Sequence, residues 1–285
     1  MVEQAALTEG RERLRQPVLP LVSIVSFIYL TGDFAAVDEV LAELPDEIET
    51  RTALYRDPAR MLHSYLDLLR PLADLKAGVG PRQQVLDEKG NTIDALSAGQ
   101  ALITQAVLTR ELTAINSLCC APCGCTLCCI GPDAAMAQHY FEIPLSAAEP
   151  DLFAVERIDT AASRATLADD EPSLCVGNHP FYQRTAPALI HWRRGWSLIL
   201  PREARCPELD QKGRCRIYAD RPQVCRMPQI FPYLLESDPD RSDLFHLRGA
   251  LLAVTDCPYV QVLRDDIATY AAACELELIL RRNKA

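Results

Sequence analysis

The chain has 285 residues, 49% hydrophobic and 24% charged, enough apolar material for a sizeable core in one or two domains, which excludes wholesale disorder. A formal charge of -10 and a pI near 5.1 set the molecule as a whole against nucleic acid and anionic lipid. The charge is uneven: between Phe181 and Pro228 ten Arg or Lys stand against four acids, which reads as a solvated face, as counter-charge for thiolates, or as a hold on a small anionic substrate.

The first apolar run, Val18 to Leu30, is interrupted by Pro20 and falls short of the about twenty residues a spanning helix needs. Glu3, Glu9 and Glu12 precede it and no small-residue cleavage site follows, so it reads as a buried or docking helix in a cytoplasmic protein with no membrane attachment. FAAVDEVLAEL has helical spacing with Asp33 as N-cap and Pro45 as its end, and ARMLHSYLDLLRPLADL predicts a helix kinked near Pro71. VLDEKGNTID holds a turn, as a hairpin or a loop, and ALSAGQALITQAVLTRELTAINSL predicts a long helix that delivers the chain to Cys119.

Beyond it the texture changes. HYFEIPL reads as a strand, Ser146 to Glu149 has capping-box spacing, and LIHWRRGWSLIL predicts two strands around Arg-Arg-Gly. CPELDQKGRCRIY predicts a hairpin through Asp210 to Gly213, and LRDDIATYAAACELELILRR reads as a closing helix. The expected class is α+β: a mostly helical region over 1–117, a cysteine-rich irregular metal-binding module of short strands and loops over 118–262, and a C-terminal helix over 263–285 packed on the rest.

CCAPCGCTLCCIGP, from Cys119 to Pro132, places six thiols within eleven residues. In a reducing compartment such density signals metal more than disulfides, and the adjacent Cys128 and Cys129 would each need a separate distant partner to form bridges. Cys120 with Cys123, and Cys125 with Cys128, have the two-residue spacing that turns two thiolates onto one ion, each at about 2.3 Å for zinc. Consecutive side chains tend to diverge, so Cys128 and Cys129 are expected to serve different metal atoms or sites. Cys206, Cys215, Cys225 and Cys257 follow at wider spacing. Cys175 and Cys274 lie outside the pattern, with Cys274 read as a buried hydrophobe; Cys119 is a bystander of Cys120 or its replacement, and His179 and His191 read as surface or core residues.

CGCTLCCIGP, followed at distance by CPELDQKGRCRIYADRPQVCRMP, resembles the bacterial CxxCxxCC family of zinc- or iron-chelating, YkgJ-type proteins, a group that includes flagellin lysine N-methylase. Cys257-Pro258 is similar to a later Cys-Pro of that family. The family pattern puts a cysteine three residues before Cys125, where this chain has Pro122, so Cys123 or Cys120 takes that role. The resemblance implies Cys125, Cys128, Cys129, Cys206, Cys215, Cys225 and Cys257 as ligands; Tyr218, Arg221 and Pro222 also match its motif, and a strand end and turn there read them as scaffold around Cys215 and Cys225.

With no histidine inside the cysteine motifs and Pro after Cys206 and Cys257, the preferred cofactor is an iron-sulfur cluster of 4Fe-4S type, with zinc as the alternative. The functional readings are an enzyme with an open cluster iron acting on a small or protein substrate, a zinc-folded module that binds a partner protein, or a metal carrier. No S-adenosylmethionine loop, nucleotide loop, GxSxG or HExxH signature is present in the sequence.

Overall fold

The computed structural model describes residues 4–166, 174–227, 229–238 and 241–282. Helix α1 (Gln4–Arg15) and helix α2 (Leu19–Thr31) open the chain, with Pro20 in the first turn of α2, where a missing N–H costs nothing. The stretch Leu7–Thr31 is long and apolar enough to cross a membrane by length and composition, yet half of its most apolar window is buried against the rest of the protein. Helix α3 (Val37–Ala42) begins after Ala36 and not at Asp33, because the Glu39 carboxylate reaches back to the Ala35 N–H (2.8 Å) and fixes the entry there.

A hairpin of β1 (Glu47–Glu49) and β2 (Leu54–Arg56) follows, which the sequence pattern did not predict. The single kinked helix expected next is three short ones, α4 (Pro58–His63), α5 (Leu66–Leu69) and α6 (Pro71–Lys76), the last opening at the proline. Strand β3 (Gln84–Leu86) leads into a turn held by the Asp87 carboxylate, which accepts from the N–H groups of Lys89 (2.9 Å) and Asn91 (2.8 Å). Asp94 then caps α7 (Ala95–Cys123), accepting from the Ser97 N–H at 2.9 Å, and the helix runs without a break across residue 117 to a left-handed Gly124.

After α7 come β4 (Tyr140–Leu145), β5 (Glu156–Ile158), α8 (Ala161–Ala165), β6 (Cys175–Val176), β7 (His179–Pro180), β8 (Ala188–Trp192) and β9 (Gly195–Pro201). The Ser146 N–H does bond the Glu149 carboxylate (2.7 Å), but a single 3-10 turn follows, Glu149–Leu152. The chain closes with α9 (Gln223–Arg226), β10 (Ile230–Ser237), β11 (Leu244–Val254), α10 (Pro258–Val262), α11 (Arg264–Ala273) and β12 (Glu277–Arg281). The predicted C-terminal helix is thus corrected to a helix and a strand. Glu275 turns left-handed (φ 57°) after Cys274, and the next residues pair parallel to β11 along an edge that would otherwise be left open.

Two sheets organise the molecule. In one, β11 is flanked by antiparallel β10 on one edge and by β3 and β12, both parallel, on the other. In the other, the order is β4-β9-β8-β5, with β8 and β9 forming the predicted hairpin around Arg193-Arg194-Gly195. The main core packs α1, α2 and α7 against β10, β11, α10 and α11 through Leu14, Val25, Leu108, Leu112, Leu251 and Tyr270, all buried. Cys119, Cys257 and Cys274 belong to this core, so the far end of α7 and the start of α10 meet under the cysteine cluster.

Candidate metal centre

The last turn of α7 supplies Cys119, Cys120 and Cys123. Cys119 faces inward with no exposure, against Gly10 of α1, where an added Cβ would lie 2.5 Å from its Sγ; it packs and does not face the other thiols' cavity. Gly124, at φ 63°, reverses the chain so that Cys125 follows at once, and a turn closed by the Cys129 N–H on the Thr126 C=O (2.9 Å) presents Cys128 and Cys129.

The second half of the motif is zipped to the first. The Cys206 N–H donates to the Cys129 C=O (2.8 Å), Ile130 bridges Arg205, and the Gly131 N–H donates to the Ala204 C=O (2.8 Å). Gly131 is required by this approach, since a Cβ there would sit 1.8 Å from the Pro201 carbonyl oxygen. The predicted hairpin is a tight turn: Asp210 accepts from the N–H groups of Lys212 and Arg214 (both 2.8 Å), and Leu209 bridges Cys215, which returns Cys215 to Cys206. Short α9 carries Cys225, and its first N–H, of Gln223, is capped by the Glu149 carboxylate at 2.8 Å.

Seven thiols, those of Cys120, Cys125, Cys128, Cys129, Cys206, Cys215 and Cys225, line one cavity of about 1040 Å³. Its opposite walls come from β4 (Tyr140, Phe141), Phe153 and β10 (Phe231). Cys123, Cys125 and Cys257 form a second grouping: their sulfurs all lie within 4.8 Å of one another, with Cys257 fully buried at the N-terminus of α10. Cys125 belongs to both. Cys175 is exposed on β6, and Cys274 is buried at the end of α11, away from the cavity. His191 stacks on Trp196 at 4.6 Å and lies 3.0 Å from the Asp159 carboxylate, and His179 sits on β7; neither lines the cavity.

The thiols are not electrostatically alike. A hydrogen bond from the Cys257 thiol draws Cys125 down to about 6, and pushes Cys257 up in return. Cys128 is drawn down in the same way by the Cys129 thiol, which itself goes up. The turn at Thr126 aims both of these adjacent residues into one cavity, close enough to share a proton, which leaves them free to serve different metal atoms there. Burial raises Cys120 and Cys206 to about 11 and Cys225 to about 12, and raises Cys123 and Cys215. Such thiols stay protonated in the absence of metal, and metal must displace their protons.

Most of the basic segment is structural. Arg184 pairs with Glu156, Arg214 with Asp210 and Arg216 with Glu208, while Arg202 donates to the backbone carbonyls of Asp133, Met136 and Gln138. Arg221 differs. It is 5% exposed, lies over the Tyr218 ring at 3.9 Å and donates to the Ser117 hydroxyl at 2.7 Å. Its charge favours the thiolates of Cys120, Cys128, Cys215 and Cys225. Tyr218 is tied to the same turn of α7, whereas Pro228 of the resemblance lies outside the described residues.

Sequence reasoning did not find that Cys123 and Cys125 meet Cys257, nor that aromatic residues of β4 and β10 close the cavity. The one local signal was Gly131-Pro132, one residue beyond the paired cysteines, which marks a close backbone approach. A donor set made of sulfur fits a thiophilic metal, zinc or iron among them, and does not fit magnesium or calcium, which take oxygen ligands. No curated protein and no solved structure matches the chain. One family model does, over residues 118–242, and its description is "Putative zinc- or iron-chelating domain". The cavity's cysteines at 120 to 225 all fall inside that span and Cys257 outside it; over residues 118–242 the chain is similar to that domain, and the match together with the grouped thiols supports metal binding there.

Proposed function

We propose that the cavity-lining cysteines hold an iron-sulfur cluster, of 4Fe-4S type, and that the cavity brings a small molecule to it. The observation that carries this reading is the convergence of seven thiols on one cavity of about 1040 Å³, a size suited to a small ligand. Four thiolates are enough for such a cluster, which when bound supplies an iron able to act as a Lewis acid or to pass electrons. The chain's part is to hold the sulfurs on the turn at Thr126 and on α9, to exclude bulk water with Phe141, Phe153 and Phe231, and to leave one side open. Twelve free thiols accord with a cytoplasmic, reducing setting.

A second reading is favoured by a separate observation. Cys123, Cys125 and Cys257 are grouped tightly enough for one ion, with Cys257 in the core and the other two packed against it; three thiolates suit a zinc ion whose fourth position is left to another ligand. The two readings combine without conflict if the three-thiol site holds zinc and the cavity holds the cluster, with Cys125 allotted to the three-thiol site.

The test is the iron, zinc and acid-labile sulfide content of full-length protein purified without oxygen, with an absorption spectrum of the same sample. Iron with matching sulfide and a broad band near about 400 nm is the expected result. Colourless protein with zinc alone moves the function to a folded partner-binding module.

A further inference from the structure

Arginine at position 221 is placed unlike any other cation of the basic segment. It is nineteen-twentieths buried, and among the described residues no carboxylate forms an ion pair with it; Glu208, the acid on the same cavity wall, pairs with Arg216 instead. Its contacts are a neutral hydroxyl, Ser117 Oγ at 2.7 Å, and the face of Tyr218. Its Nε–H is fully buried and has no acceptor among the described residues, although the side chain lines the cavity beside Cys120, Cys128 and Cys225. A buried charge without a counter-charge is expensive to hold, and an unmet buried donor adds to that cost.

We propose that Arg221 is the counter-cation of the metal centre, its Nε–H reserved for a negatively charged sulfur of the loaded site. This rests on the reading of the cavity as a metal centre. Thiolate ligation makes the reason plain: four thiolates on a divalent metal, or on a four-iron cluster, leave a net negative charge inside a cavity that buries it. The guanidinium supplies the opposite sign, and its planar fork bonds Ser117 on one side while leaving Nε for the site. Arg221 is thus a positioning residue that stabilises the loaded state more than the empty one.

The test is a zinc(II) titration of the metal-free full-length chain against a chromophoric chelator without oxygen, for wild type, Arg221→Met and Arg221→Lys, with the thermal midpoint of each metal-free protein. Arg221→Met is expected to weaken zinc binding by at least about tenfold, the range seen for residues that support metal ligands, while Arg221→Lys stays within about threefold of wild type. The metal-free Arg221→Met protein is expected to melt at or above the wild-type temperature, because an apolar side chain replaces an unbalanced charge. A scaffold role predicts the opposite sign there, with both variants melting lower. Arg221→Met binding zinc like wild type, Arg221→Lys failing as badly as Arg221→Met, or a lower melting temperature of the metal-free Arg221→Met protein overturns the inference. Wild type that takes up no zinc or iron overturns the reading of the cavity itself, a separate failure.

Discussion

The Tyr218 hydroxyl donates to the Ser117 C=O at 2.6 Å and accepts from the Ala121 N–H at 3.1 Å, the two backbone groups that close one turn of an ideal helix. It sits in the ladder of α7 one turn before the chain leaves for Cys125, next to Pro122, which has no N–H of its own to give. The side chain thereby joins the two halves of the cysteine motif: one end is fixed in the strand-poor segment of Cys215, the other in the helix that carries Cys120 and Cys123.

Tyr218→Phe keeps the ring under Arg221 and removes both bonds. It is expected to cost about 1 kcal/mol of stability, since a half-buried carbonyl and an exposed N–H lose a partner, and to weaken metal uptake through Cys120. Chemical denaturation of the metal-loaded and metal-free protein measures the two effects. Unchanged stability would mean that the helix turn closes without the tyrosine.

Two thiol groupings predict separable metal losses. Cys257→Ala should remove the metal held with Cys123 and Cys125 and leave that held by the cavity; Cys225→Ala should do the reverse. Cys274→Ala should leave metal content as it is and cost stability alone, about 1 kcal/mol, because its thiol lies in the core. Elemental analysis of the three variants checks this, and equal loss in Cys257→Ala and Cys225→Ala would mean one shared site.

Gly10 is needed for packing on Cys119. Gly10→Ala should destabilise by about 1–3 kcal/mol although alanine is the better helix former, because its methyl group would meet Cys119 Sγ at 2.5 Å on a rigid helix. The double variant Gly10→Ala with Cys119→Ala should recover much of the loss, with unchanged metal content. Thermal unfolding of the two variants decides it; a double variant no more stable than Gly10→Ala would place the strain elsewhere.

Glu111 gives the fold a pH dependence. It is buried between α7, α2 and α11, accepting from the Val18 N–H (2.9 Å) and the Tyr270 hydroxyl (2.7 Å), and burial raises it from 4.5 to about 7. Raised above its unfolded value, the group binds a proton in the folded state that the unfolded chain has released. Its contribution is therefore full below about pH 4.5 and is lost as pH rises to about 7, by about 3 kcal/mol in all. Glu111→Gln should flatten this part of the profile. Urea denaturation between pH 5 and 8, on wild type and variant alike, measures the slope; identical slopes would remove Glu111 from the account.

The sequence by itself determined that a cysteine cluster binds metal, that a long helix delivers the chain to it and that β8 and β9 form a hairpin. Each of these is local: thiol spacing, a 3.6-residue apolar period and a turn between two apolar runs are written within a few residues of one another. Tertiary structure alone decided that Cys257 joins Cys123 and Cys125, that Cys128 and Cys129 share a cavity, that Arg221 is buried beside thiols rather than solvated, and that the last helix gives way to β12. Those outcomes depend on which distant surfaces meet, where burial, an unfilled sheet edge and the close approach at Gly131 override what the neighbouring residues prefer.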